Sequence, residues 1–216
     1  MPDIFDEIQE DLRAERARKL WVRYGGVFAG AALLVLVGVG GWQGWRWYEN
    51  RQASAEAALF LADLRNADAQ GADLKAIAGS IAGRANEAPE GYRIVGRLRA
   101  AALMAQAGQT SEALALWDLV AADGKADPLY RDLASLMWAM HAMDQVEPGQ
   151  VLARLGPLTQ PGNAWRASAQ ELTAIAKLRQ GDKSGAKAGF TALAEDVTAP
   201  QGMRERAQRM AAGIGS

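Results

Sequence analysis

Cysteine is missing from all 216 residues, so disulfides, thiolate nucleophiles and cysteine-ligated metals are excluded, and the redox character of the compartment stays open. Histidine occurs once, as His141, which leaves no histidine-based metal cluster and little basis for a Ser/His/Asp relay. The formal net charge is -1, and acids and bases nearly cancel beyond Tyr48, so the electrostatic footprint of a nucleic-acid binder is lacking too. Runs of β-branched residues are few, no strand hairpin is legible, and alanine is the commonest residue. These features together predict close-packed helices and an all-α fold.

One long uncharged run stands out in what remains. Between Tyr24 and Trp45 there is no Asp, Glu, Lys or Arg, and the stretch GGVFAGAALLVLVGVGG is apolar or small throughout. Wound as a helix it spans roughly 30 Å, the thickness of a bilayer core. Trp21 and Tyr24 mark one end, and Trp42, Trp45, Trp47 and Tyr48 mark the other, as expected of rings at headgroup level. The sequence therefore predicts three parts: a cytoplasmic amphipathic leader over 1–23, a single transmembrane helix over 24–45 and an exported helical domain over 46–216. Orientation follows from Arg13, Arg16, Arg18, Lys19 and Arg23 before the span against Arg46 and Arg51 after it. Ala53-Ser54-Ala55 has the small-x-small form of a cleavage site, and cleavage of a minority after Ala55 stays open. The long acid-rich leader and the bulky WQGWRWYENRQ favour an uncleaved signal anchor.

Within the span, Gly26, Gly30, Gly40, Gly41 and Gly44 fall in an arc of about 100°. Such a face either docks closely against another membrane helix or reflects the ordinary abundance of glycine in membrane helices. Leu33 and Val37 interrupt the same stripe. In the leader, Ile4, Phe5, Ile8 and Leu12 recur at helical spacing, and its charges run from acidic to basic in the sense that suits the helix dipole.

Beyond the span, turn signals punctuate the chain at intervals of one helix: Gly71, Pro89, Gly108, Gly124 with Pro128, Pro148-Gly149, Pro161-Gly162, Gly181 and Pro200. They predict helices over 49–69, 72–86, 90–107, 111–122, 128–143, 148–159, 162–180, 183–195 and 200–212. The order Ala101, Gly108, Ala113, Trp117, Val120, Pro128 returns as Ala174, Gly181, Ala186, Phe190, Leu193, Pro200, with matching offsets up to the closing proline. This resembles the tetratricopeptide repeat, an α-solenoid of helical hairpins. The resemblance makes Ala101, Gly108, Ala113, Trp117, Ala174, Gly181, Ala186 and Phe190 packing residues, leaves room for a degenerate repeat over 128–160, and allows a divergent hairpin over 49–86.

The layout as a whole, from DIFDEIQEDL through WVRYGGVFAGAALLVLVGVGGWQGWRWY to the last repeat, resembles the ancillary subunit of the SecYEG translocon, the YfgM-like family. That resemblance implies a bacterial inner-membrane protein, single-pass, with its domain in the periplasm. It implies association with the translocon and with a periplasmic chaperone of the prolyl-isomerase type, no catalytic residues and no cofactor. A generic envelope scaffold, in cell division or cytochrome maturation, is the alternative.

Signs of chemistry are few. Gly181-Asp182-Lys183-Ser184 superficially matches a phosphate loop, but Asp intervenes, no strand precedes it, and Asp182 reads better as a helix N-cap. Asp123 with Asp127, and Glu195 with Asp196, read as solvated turns. Among the aromatics, Trp117 and Phe190 are assigned to packing, while Tyr92, Tyr130 and Trp165, near helix starts, are the candidates for lining a partner groove.

Overall fold

A computed structural model describes residues 26, 30–31, 33–48, 51 and 57–215. It divides into two compact units, Met1–Ala58 and Leu59–Ser216. In the first, residues 33–48 are helical, and the large apolar side chains from Leu33 to Val37, with Val39, Trp42, Trp45, Trp47 and Tyr48, are all exposed. Arg46 and Arg51 set their guanidinium groups 5.0 Å and 4.4 Å from the ring centres of Trp42 and Trp47, within cation–π range. Among the described residues no helix is long and apolar enough to cross a membrane. The expected span over 24–45 lies partly outside the described residues, and the expected leader over 1–23 lies wholly outside them.

The second unit is helical throughout its described residues apart from turns. After helical residues up to 67 come α1 (Leu74–Glu87), α2 (Glu90–Gln106), α3 (Thr110–Ala121), α4 (Pro128–Ala142), α5 (Pro148–Leu155), a 3-10 turn (Gly156–Thr159), α6 (Arg166–Arg179), α7 (Lys183–Glu195) and α8 (Gln201–Gly213). Each helix packs chiefly on the next one along the chain, as in a solenoid of hairpins. Local chemistry sets the starts. Asp73, Asp127 and Asp182 accept hydrogen bonds from backbone N–H groups of α1, α4 and α7, while Pro128 and Pro148 occupy first-turn positions where no N–H is needed.

The turns inside the two matched repeats have one construction. At the end of α2 the Gln109 N–H donates to the Met104 carbonyl at 2.8 Å and the Gly108 N–H to that of Ala105 at 3.0 Å. After α6 the Asp182 N–H reaches Lys177 at 2.9 Å and the Gly181 N–H reaches Leu178 at 3.0 Å. Both are Schellman caps, which require a left-handed residue, and Gly108 and Gly181 supply it at φ +77° and +89°.

Small residues bring the helices together and large ones fill between them. Ala101, Ala113, Trp117, Ala174, Ala186 and Phe190 are all at most 1% exposed. Burying a side chain as large as Trp117 or Phe190 contributes about 2–3 kcal/mol. The middle hairpin keeps the spacing with other residues: Val151, Leu155 and Leu158 follow Ala139 as Ala113, Trp117 and Val120 follow Ala101, and all four are buried. Val146 holds the place of the turn glycine, and that turn is built without a positive φ. Between α1 and α2 the backbones approach closely at Gly96, where an added Cβ would stand 2.9 Å from Ala85 Cβ.

Two expected helices need correction. The helix predicted over 148–159 is α-helical only to Leu155 and tightens to 3-10 from Gly156, because Pro157 has no N–H to donate and disfavours α geometry at the residue before it. The helix predicted from 162 begins at Arg166. Gly162 adopts φ +87° and Asn163 Oδ1 accepts the Trp165 N–H at 2.8 Å, which makes a turn of 162–165.

Candidate partner-binding site

The solenoid puts the starts of its successive first helices in register. Tyr92, Tyr130 and Trp165 each stand nine residues before the buried alanines Ala101, Ala139 and Ala174, and each is followed by an arginine: Arg93, Arg131 and Arg166. The arginines were absent from the sequence reading. Their signal was an aromatic–arginine pair recurring at constant offset, easily passed over because charged residues at helix starts ordinarily read as solvated.

In the first and third of these helices the arginine fastens its own repeat. Arg93 Nη2 lies 3.4 Å from Asp123 Oδ2, while Asp123 Oδ1 accepts the Lys125 N–H at 3.1 Å. Arg166 pairs with Asp196 and also donates to the Thr198 hydroxyl at 2.8 Å. Asp196 in turn accepts the Thr198 O–H at 2.7 Å and its N–H at 2.9 Å. Asp123 and Asp196 were expected in plain solvated turns, yet each side chain is only 15% exposed. The Lys125 N–H, and then Arg93, hold the Asp123 carboxyl below the usual aspartate range; for Asp196 the Thr198 hydroxyl and N–H act first and Arg166 after them. In the middle repeat Pro161 occupies the position of the acid, and the connection is made instead by the Asn163 amide donating to Asp132 at 2.7 Å.

Two of the three groove candidates come together. Tyr92 is 38% and Tyr130 39% exposed, and both line a cavity of about 460 Å³ with Phe60, Val95, Glu90 and Asp127. Trp165 sits elsewhere. It is half-buried against the cluster of Leu136, Leu155 and Leu158, and its indole N–H donates to the Leu129 carbonyl at 3.0 Å. Gly26, Gly30, Gly40 and Gly44 are helical, and a Cβ built on any of them meets nothing within 4 Å.

His141 and Asp182 are engaged in structure. His141 stacks on buried Trp117 with ring centres 4.8 Å apart, and burial pushes its pKa down. Asp182 caps α7 by accepting the Gly185 N–H at 2.8 Å, the main cause of its lowered carboxyl pKa, with the Ser184 hydroxyl second. Among the described residues there is no group of three His, Asp or Glu side chains that could hold a metal ion. A family model described as a tetratricopeptide repeat-like domain matches residues 18–209. No curated protein and no solved structure matches the chain.

Proposed function

Because this chain belongs to the tetratricopeptide repeat-like domain family, whose hairpins are protein-interaction scaffolds, we propose that it is a non-catalytic scaffold, anchored in the bacterial inner membrane, that joins the SecYEG-type translocon to a periplasmic prolyl-isomerase-like chaperone. The observation that carries the scaffold reading is the pair of exposed tyrosines, Tyr92 and Tyr130, sharing one cavity at the starts of adjacent repeats. Large aromatic side chains gain most from burial, and a cavity lined by them is a natural anchor point for a partner. The anchoring reading is supported by the helix of residues 33–48, whose large apolar side chains are exposed, and by the flanking aromatics and basic residues of the sequence. Membrane lipid is then its first partner. The choice of translocon and chaperone rests on the layout of leader, span and exported repeats.

Pull-down of the full chain from native membranes in mild detergent tests this. Recovery of translocon subunits and a periplasmic chaperone is the expected result, with a lower yield after Tyr92→Ala with Tyr130→Ala. Replacing 24–45 by an unrelated membrane helix should reduce translocon recovery if Gly26, Gly30, Gly40 and Gly44 form a docking face. Capture of a division or cytochrome-maturation complex in their place would overturn the assignment of partners and leave the scaffold.

A further inference from the structure

We infer that the cavity framed by Phe60, Tyr92 and Tyr130 receives a segment of a partner polypeptide that carries a lysine or arginine next to an apolar side chain. The inference rests on the scaffold reading and gives its partner a chemistry. Three aromatic rings, with Val95, make the cavity mainly apolar, and its volume of about 460 Å³ accommodates an apolar side chain beside the stem of a longer one. Its ionisable groups, apart from the tyrosines, are Glu90 and Asp127, and no lysine or arginine lines it. Arg93, next to Tyr92 along α2, is taken by Asp123.

The two carboxylates keep capacity for a ligand. Asp127 uses Oδ1 to cap α4 through the Leu129 N–H at 2.8 Å, which leaves Oδ2 for another donor. Among the described residues neither Glu90 nor Asp127 forms an ion pair. Each stands at a helix N-terminus, whose partial charge of about half a unit cancels only part of its own. The rim is therefore net negative. A cation entering there meets carboxylates and tyrosine side chains at once, whereas phosphate, as on nucleic acid or anionic lipid, is repelled. The next start in register offers no such place, since the Trp165 indole is tied to the Leu129 carbonyl.

Isothermal titration of the full chain in mild detergent with a Gly-Ser-Leu-Arg-Leu-Ser-Gly peptide, and with its Gln and Glu counterparts at the central position, separates the possibilities. The Arg peptide should bind, the Gln peptide about fivefold more weakly, and the Glu peptide below detection. Glu90→Gln with Asp127→Asn should bring the Arg peptide down to the level of the Gln peptide. Asn still caps α4 and Gln is a good helix former, so the fold is kept. Equal binding of all three peptides by the native chain, no binding of the Arg peptide, or a charge preference that survives the double substitution overturns the inference. Loss of the native partner on Tyr92→Ala with Tyr130→Ala, alongside equal peptide binding, would sink the chemistry and spare the scaffold.

Discussion

Glycine-to-alanine substitution should raise stability at position 83 and lower it at position 181, although the atoms added are the same. Gly83 is an exposed interior residue of α1, and a Cβ built on it meets nothing within 4 Å. Alanine there stiffens the unfolded chain and suits the helix, a gain of about 0.5–1 kcal/mol. A Cβ on Gly181 is equally unobstructed, so crowding cannot account for a loss at that site. The difference lies in the backbone. At φ +89° an L side chain costs about 1–2 kcal/mol, which exceeds the gain from a stiffer unfolded state of about 0.4–1 kcal/mol. A net loss near 1 kcal/mol is expected, and the two variants should differ by about 2 kcal/mol. Asn, which tolerates the left-handed region, should recover part of the loss at 181. Urea unfolding followed by far-UV circular dichroism gives the signs, and a loss of about 1 kcal/mol should lower the melting temperature by about 2–4 °C for a domain of this size. In an array stabilised by neighbour contacts, amide exchange in α6 and α7 should register the Gly181 change first. Equal signs at the two positions, or a neutral Gly181→Ala, would refute the left-handed cap as the reason for that glycine.

Other perturbations probe the core, the fasteners and the tryptophan. Trp117→Ala removes a side chain 1% exposed and should cost about 3–5 kcal/mol in chemical denaturation; Leu155→Ala, at the equivalent place in the middle repeat, should cost about 2–5 kcal/mol. Asp196→Asn keeps an acceptor for the Thr198 N–H but gives up the charge facing Arg166. The folded carboxyl titrates below its ordinary value of about 4, so its contribution is complete above that value and fades as pH falls through the lower, folded one. The gap in unfolding midpoint between native and Asp196→Asn chains should be widest near neutrality and narrow as the pH is taken down from about 4; a constant gap would exclude the linkage. Trp165→Phe deletes the indole donor to Leu129 and should cost about 1 kcal/mol without altering the yield of partner in the pull-down.

Fold class was readable because helix ends carry residue-specific chemistry. Gly108 and Gly181, chosen from the sequence as turn closers, both take positive φ, and the paired alanines and aromatics of the two matched repeats lie in the core. The middle repeat was hard to see because its marks are exchanged rather than lost: Val146 for glycine, Val151 for alanine and Leu155 for an aromatic. Apolar volume is what the packing needs there, and many residues provide it. At the candidate site, nearness of Tyr92, Tyr130 and Trp165 to helix starts was legible, but their different fates were not. Whether an aromatic ring faces solvent or a neighbouring carbonyl depends on contacts across more than thirty positions, as between Trp165 and Leu129. The arginine fasteners are equally non-local, since Arg93 and Asp123, like Arg166 and Asp196, stand 30 residues apart.

Asp182 holds two posts at once: its N–H closes the cap of α6 and its side chain opens α7. Such a hinge has no slack. An insertion there would detach one helix end or the other. The joints between repeats differ in length: Asp123 and Arg131, like Asp196 and Arg204, stand eight positions apart, but Pro161 and Arg166 only five. For anyone splicing in a fluorescent reporter or an epitope, the corner at 181–182 is the one to leave alone.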